Sequence, residues 1–343
     1  MSAPSGGLRR ALDPRVLFGI AVTVLALGFA FRGVSFPALA ADLKRANLST
    51  LVLPSAACYL ASLWIRVLRW RHLAAGLSEL PLGAGYRATA IRFMVNNVFP
   101  LRLGELVGPW VIAREVGGST AGWFGTIVLE RVFDSAAVAS LAVFLIGRRI
   151  DLGLLPWLAV LPIAGIVALR AWPGPLVRFA HRCLDAALPA ALATRGRGFV
   201  DQLAAGLSGL TSASGFAWVL WHTVVLWGVV ATLPFLLALR SLGIDLGGAA
   251  ENYFVALTLM AGVGVAVALP QAPGFFGMYH AACRELLVPL GVSKEHALAL
   301  GTLAHAVFWV SIIVFGLFAL PRGGTPLRAA LRAGAPPEAD RSP

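Results

Sequence analysis

The chain has 343 residues, of which 58% are hydrophobic and 13% charged, and a mean hydropathy of +0.81. An average soluble domain carries about a quarter charged residues. So few charges cannot coat a soluble protein of this size, so a purely water-soluble fold is excluded and lipid must be part of the solvent. The net charge of +12 lies in short segments between apolar runs, as in loops facing anionic lipid. No polar segment is long enough to offer a nucleic-acid face, so none is expected as a partner.

Residues 1–14 carry Arg9 and Arg10 and read as a cytoplasmic N-terminus. The apolar run 15–32 follows. Ala38-Leu39-Ala40 resembles a leader cleavage site, but it lies well past the end of a long run, so an uncleaved first helix is expected. Residues 34–48 fit a short surface helix. The next run, 49–65, ends in Trp64-Ile65-Arg66-Val67-Leu68-Arg69-Trp70-Arg71. This is an interfacial anchor set or, more sharply, an arginine cluster able to hold lipid phosphate through Arg66 and Arg69.

Residues 84–113 are apolar but interrupted by Asn96-Asn97-Val98-Phe99-Pro100-Leu101-Arg102-Leu103-Gly104-Glu105. Pro100 removes a backbone donor and Gly104 loosens the next turn, so a straight helix should not continue. A helix–turn–helix hairpin dipping into the bilayer is expected, or else a plain loop between two short spans. Broken backbone survives at depth only where protein or water covers it, and it aims polar groups at a cavity.

The run 121–147 contains Glu130, Arg131 and Asp134. Helical spacing puts the two carboxylates on one face, with Arg131 about 100° round. Each charge at a span's centre costs about 2.5–3.5 kcal/mol, so the three must face one another, a partner such as Arg102, or water.

After the run 154–171, residues 173–214 mix charge with apolar positions and read as an interfacial helical linker between two halves. Runs 216–240 and 249–269 follow. A second break comes at Leu269-Pro270-Gln271-Ala272-Pro273-Gly274-Phe275-Phe276-Gly277. His280 and Arg284, one turn apart, could share a face of the next short helix, and amides at its start could meet an anion. The last run is 297–320. His222 and His305 lie within runs and read as packed polar residues, with a test as proton relays warranted for His305. Residues 322–343 are rich in Pro, Gly and Arg and read as a disordered tail.

The expected architecture is therefore all-α, a transmembrane bundle of about seven or eight spans over 15–321 with two interrupted segments. Arginines at the N-terminus, after the second run, in the linker and in the tail all favour the cytoplasmic side; the last of these requires 270–290 to cross. Three scattered cysteines, Cys58, Cys183 and Cys283, give neither a disulfide framework nor a metal site. Nucleotide, zinc-protease and serine-hydrolase motifs are missing, so no catalytic residue, metal or cofactor is assigned.

The ordered motifs Arg66-x-x-Arg69-Trp70, Asn96-x-x-x-Pro100-x-Arg102-x-Gly104-Glu105, Glu130-Arg131-x-x-Asp134 and Pro270-x-x-Pro273-Gly274-x-x-Gly277 resemble the transmembrane region of lysylphosphatidylglycerol synthase, the flippase-like domain family, over roughly residues 10–320. The resemblance implies lipid translocation in a multi-pass inner membrane protein. Its substrate would be an anionic or aminoacylated phospholipid, or a polyprenyl or glycolipid. The full-length synthases pair this region with a soluble domain that makes the lipid; this chain runs into its tail instead, so aminoacyl transfer is not expected. The family's turn usually reads Pro-Gly-Gly-x-Gly with an acidic residue soon after, whereas here Phe275 and Phe276 intervene and the acidic residue is Glu285. The headgroup site would comprise Arg66, Arg69, Asn96, Asn97, Pro100, Arg102, Gly104, Glu105, Glu130, Arg131 and Asp134, joined by Gln271, Pro273, Gly274, His280 and Arg284 from the second break. The alternative is a membrane-embedded transferase or an accessory protein of a lipid-linked pathway. Membrane lipids are the expected partners, with membrane enzymes as further candidates; the sequence sets no oligomeric state.

Overall fold

The computed structural model describes residues 14–99, 102–147, 160–207, 212–268 and 273–320. Among these the chain is helical throughout, a polytopic membrane bundle. In order come α1 (Pro14–Ala30), α2 (Phe36–Arg45), α3 (Leu48–Ala74), α4 (Leu82–Val98), α5 (Gly104–Val116) and α6 (Thr120–Gly147). There follow α7 (Val160–Ala171), α8 (Pro173–Ala187), α9 (Ala190–Leu207), α10 (Ala213–Val224) and α11 (Leu233–Ser241). Last are α12 (Ala249–Ala268), α13 (Met278–Leu287) and α14 (Lys294–Ala319). A π-helical segment, Val225–Val230, joins α10 to α11. Four described helices are long and apolar enough to cross a bilayer: α3, the Ala213–Ser241 unit, α12 and α14.

Side-chain caps set where several of these helices begin. Asn47 accepts from Thr50 N at 3.4 Å, Ser212 from Gly215 N at 3.0 Å and Ser293 from His296 N at 3.2 Å. Each satisfies a backbone donor that has no partner within its own helix.

The first interrupted segment is an antiparallel hairpin. Asn96 Nδ2 donates to Glu105 Oε1 at 3.0 Å near the turn, and the Arg87–Glu115 ion pair closes the other end. Gly104 makes the close approach possible, because a Cβ there would overlap the Arg92 carbonyl oxygen and sit 2.6 Å from Asn96 Oδ1. The second interruption is a tight turn, Pro273–Phe275, leading into α13, which packs back on α12. The 173–214 linker is mainly a helix pair. α8 and α9 pack on each other, Arg197 Nη1 lies 2.9 Å from Asp185 Oδ1, and α9 leans on α6. The 154–171 run is seen from Val160 onward as α7; its earlier residues, the N-terminus to 13 and the tail from 321 lie outside the described residues.

Candidate functional site

α3 delivers Arg66 and Arg69 to the centre of the bundle, α4 delivers Arg92, and α6 delivers Glu130, Arg131 and Asp134. Arg66, Arg69, Arg92, Glu130 and Asp134 are at most 6% exposed. Asp134 takes Arg66 Nη1 on Oδ2 at 2.9 Å and Arg69 Nη1 on Oδ1 at 2.8 Å. Glu130 Oε1 takes Arg92 Nη2 at 2.8 Å and Arg131 Nη2 at 2.6 Å. Glu105 joins from α5, its Oε2 lying 3.8 Å from both Arg92 Nη1 and Arg131 Nε. Seven unpaired charges at depth would cost roughly 20 kcal/mol on insertion scales, so the pairing is what makes the arrangement tolerable.

Aromatic faces complete the cluster. Phe93 lies under three guanidiniums, with Arg66, Arg92 and Arg131 at 4.9, 5.1 and 5.8 Å from its ring centre. Trp227, on the π-helical segment, donates its Nε1–H to Asp134 Oδ1 at 2.8 Å. The π-turn disturbs the regular ladder, and hydroxyls engage the carbonyls there: Thr232 Oγ1 donates to Trp227 O at 2.8 Å, and the Tyr253 hydroxyl to Gly228 O. A single π-turn within a helix is a frequent mark of a functional position, and here it holds an indole that hydrogen bonds to the Asp134 carboxylate.

Beside the cluster lies a cavity of about 450 Å³. Arg66, Asn96, Asn97, Arg102, Glu105, Arg131 and Asp134 line its polar wall; Val138, Leu226, Met260, Val263, Phe308 and Ile312 are among its apolar liners. Four paired guanidiniums face three carboxylates, and Arg102 brings a further positive charge, so the wall is net cationic. Hydrogen-bonding capacity is left over as well. Arg69 Nη2, Arg92 Nη1 and Arg131 Nε lack hydrogen-bond partners, as do Glu105 Oε2 and Glu130 Oε2. The geometry fits a small polar group entering beside an apolar one, the division within an amphiphile.

The two interrupted segments meet at this cavity. Arg102, at φ 53°, donates Nη2–H to Val267 O at 2.6 Å, near the C-terminal end of α12. This bond ties one break to the other. α4 also packs against the Pro273–Phe275 turn. Arg102 and Phe275, at φ 61°, are the non-glycine residues with positive φ among the described residues, one in each break. Such backbone is costly and tends to cluster at functional positions.

Arg69 and Glu130 stand in the charge network behind the lining residues, and Gly104 is the hairpin's contact point. Pro100 and Gln271 lie outside the described residues. Pro273 opens the second turn, and Gly274 is buried within it. His280 and Arg284 do not share one cavity-facing surface: His280 is buried towards α1 and α14, whereas Arg284 Nη1 reaches the α1 carbonyls of Phe29 and Ala30 at 2.6 and 2.8 Å. There it satisfies open carbonyls at a helix end. Sequence reasoning missed Arg92, Phe93, Trp227, Tyr59 and Tyr279. An arginine isolated among Thr89-Ala90-Ile91 and Phe93-Met94-Val95 was a usable signal for the first, since charge in an apolar run is a functional hint by default. The aromatic residues carried no such mark.

The family model described as Lysylphosphatidylglycerol synthase TM region matches residues 16–316. No curated protein and no solved structure matches the chain significantly.

Proposed function

Because the chain belongs to the lysylphosphatidylglycerol synthase transmembrane-region family, we propose that it moves an anionic-headgroup lipid between leaflets through the cavity between the two interrupted segments. One observation carries this reading: a buried, net cationic charge network forms one wall of an otherwise largely apolar cavity of about 450 Å³. The lining guanidiniums of Arg66, Arg102 and Arg131 suit phosphate oxygens, which arginine binds in planar pairs. Glu105, which lines the cavity and whose Oε2 accepts no hydrogen bond, suits an ammonium on the same headgroup, so an aminoacylated lipid fits the same wall. Acyl chains stay against the apolar liners and the surrounding bilayer, so the headgroup alone needs a polar route.

The protein sits in this reading in the cytoplasmic membrane with its N-terminus inside, since Arg9, Arg10, Arg71, Arg178 and Arg182 fall in segments that would then share the cytoplasmic side. The α8–α9 pair lies along that interface. α8 supports this placement with exposed Leu176 and Phe179 beside Arg178 and Arg182.

Reconstitution tests the proposal. Vesicles carrying the purified protein and fluorescent phosphatidylglycerol, lysylphosphatidylglycerol or polyprenyl phosphate are treated with dithionite, and the accessible fraction is followed. Protein should raise it above that of empty vesicles for at least one anionic or aminoacylated lipid. Ser135→Trp, which fills the cavity without removing a charge, should return it to the empty-vesicle value at unchanged protein abundance. Wild-type protein indistinguishable from empty vesicles with all three lipids would overturn the reading.

A further inference from the structure

A second buried polar group lies next to the cavity, at the Pro273–Gly277 turn, and the charge network does not use it. His305 of α14 and His280 of α13 meet edge to face with ring centres 5.3 Å apart. His305 Nε2 lies 2.6 Å from Gly274 O. A carbonyl only accepts, so Nε2 carries the hydrogen and Nδ1 is left bare. His280 is 6% exposed, and its Nδ1 has no hydrogen-bond partner. Two imidazoles thus hold open proton-accepting capacity in the interior.

The groups that face the pair are neutral. Tyr279 stacks on His305 with ring centres 4.8 Å apart, and Phe276 meets its edge at 4.8 Å. Phe31, just past the end of α1, lies 6.1 Å from the His280 ring. Cys283 follows on α13, and the Tyr59 ring of α3 lines the same cavity as Tyr279. Arg284 is turned away onto the α1 carbonyls. Among the described residues no carboxylate stands against either ring. A proton taken up here would be an uncompensated charge as long as the turn stays shut.

The turn itself is poised. Gly274 has φ 77° and Gly277 φ 88°, with Phe275 between them in the same left-handed region. A Cβ on Gly277 would lie 2.9 Å from Leu27 N and Thr23 O, so α1 rests directly on the turn's backbone. Phe275 and Tyr279 both line the cavity. Opening the turn would therefore break the His305–Gly274 bond, relieve Phe275 and expose the imidazoles to the cavity and to any anion in it.

We propose that His280 and His305 form a proton-binding pair that governs opening of the Pro273–Gly277 turn, so that lipid movement is proton-linked. The proposal rests on the lipid-translocation reading above for its second half only. Charge on the pair is disfavoured in the shut form and tolerated in the open one, so protons select the open form. By reciprocity, an anionic headgroup in the opened cavity favours protonation. Proton and anion would bind together.

Hydrogen–deuterium exchange of the 266–278 peptide tests the site without any transport. After correction for intrinsic rates, exchange should quicken about tenfold on acidification across roughly pH 8 to pH 5, the range over which an imidazole changes charge. His305→Gln keeps a donor for Gly274 O but cannot take the proton, so its exchange should be flat with pH. His280→Gln serves as the second variant and should blunt the response. Lipid movement measured in parallel should quicken with acid in wild type and be pH-independent in His305→Gln. Identical pH responses in wild type and both variants would overturn the proton site while leaving translocation standing. A pH-dependent turn with no lipid movement would keep the site and sink the translocation reading.

Discussion

At the scale of single residues, Glu130 organises the network. Its Oε1 lies within 3.7 Å of guanidinium nitrogens of Arg66, Arg69, Arg92 and Arg131. Removing that carboxylate leaves four cations, three of them buried, with Asp134 and Glu105 alone to balance them. Glu130→Gln should therefore destabilise by about 3–5 kcal/mol, the usual cost of breaking a buried pair from one side. Arg92→Leu, which removes a cation and leaves Glu130 with Arg131, should cost less. The double variant should recover at least about 1 kcal/mol relative to Glu130→Gln, read as non-additivity in reversible unfolding in detergent. Part of this was legible in sequence. Glu130 and Asp134 are one helical turn apart inside an apolar run, and that alone requires an inward face and partners. Which arginines answer them was not legible, because Arg66, Arg69 and Arg92 arrive from other helices.

At the scale of elements, the two interruptions matter most. Pro100 and Gly104 announce a break, and the antiparallel α4–α5 hairpin agrees with the expected helix–turn–helix. Gly104 has a second duty that composition cannot reveal: α5 passes so close to the Arg92 carbonyl that no side chain fits. Gly104→Ala should force the hairpin apart, costing about 1–3 kcal/mol as overpacking does. It should lower the thermal midpoint and weaken the Asn96–Glu105 bond. The π-helical segment was invisible in sequence, since 216–240 reads as one uniform apolar run. Its departure from α-geometry becomes apparent only when Trp227 is seen reaching Asp134. Trp227→Phe keeps the ring over Arg66 but removes the donor, so lipid movement should fall while folding is largely kept, checked by comparing transport rate with melting temperature.

At the scale of the molecule, one arrangement unites the features. Charge that would be intolerable against lipid is gathered between α3, α4, α5 and α6, and two broken segments close around it with a bond from Arg102 to Val267. The positive side of the ledger is left in excess, next to apolar walls. That asymmetry predicts how small charged probes behave inside the cavity. Ser135 is exposed and lines it, so Ser135→Cys, in protein with Cys58, Cys183 and Cys283 replaced by alanine, offers a reporter thiol. Rates of modification by a sulfonate-bearing and an ammonium-bearing thiosulfonate should differ, with the sulfonate faster and slowed by added anionic lipid. A thiol that reacts with neither reagent, or faster with the ammonium, would contradict the account.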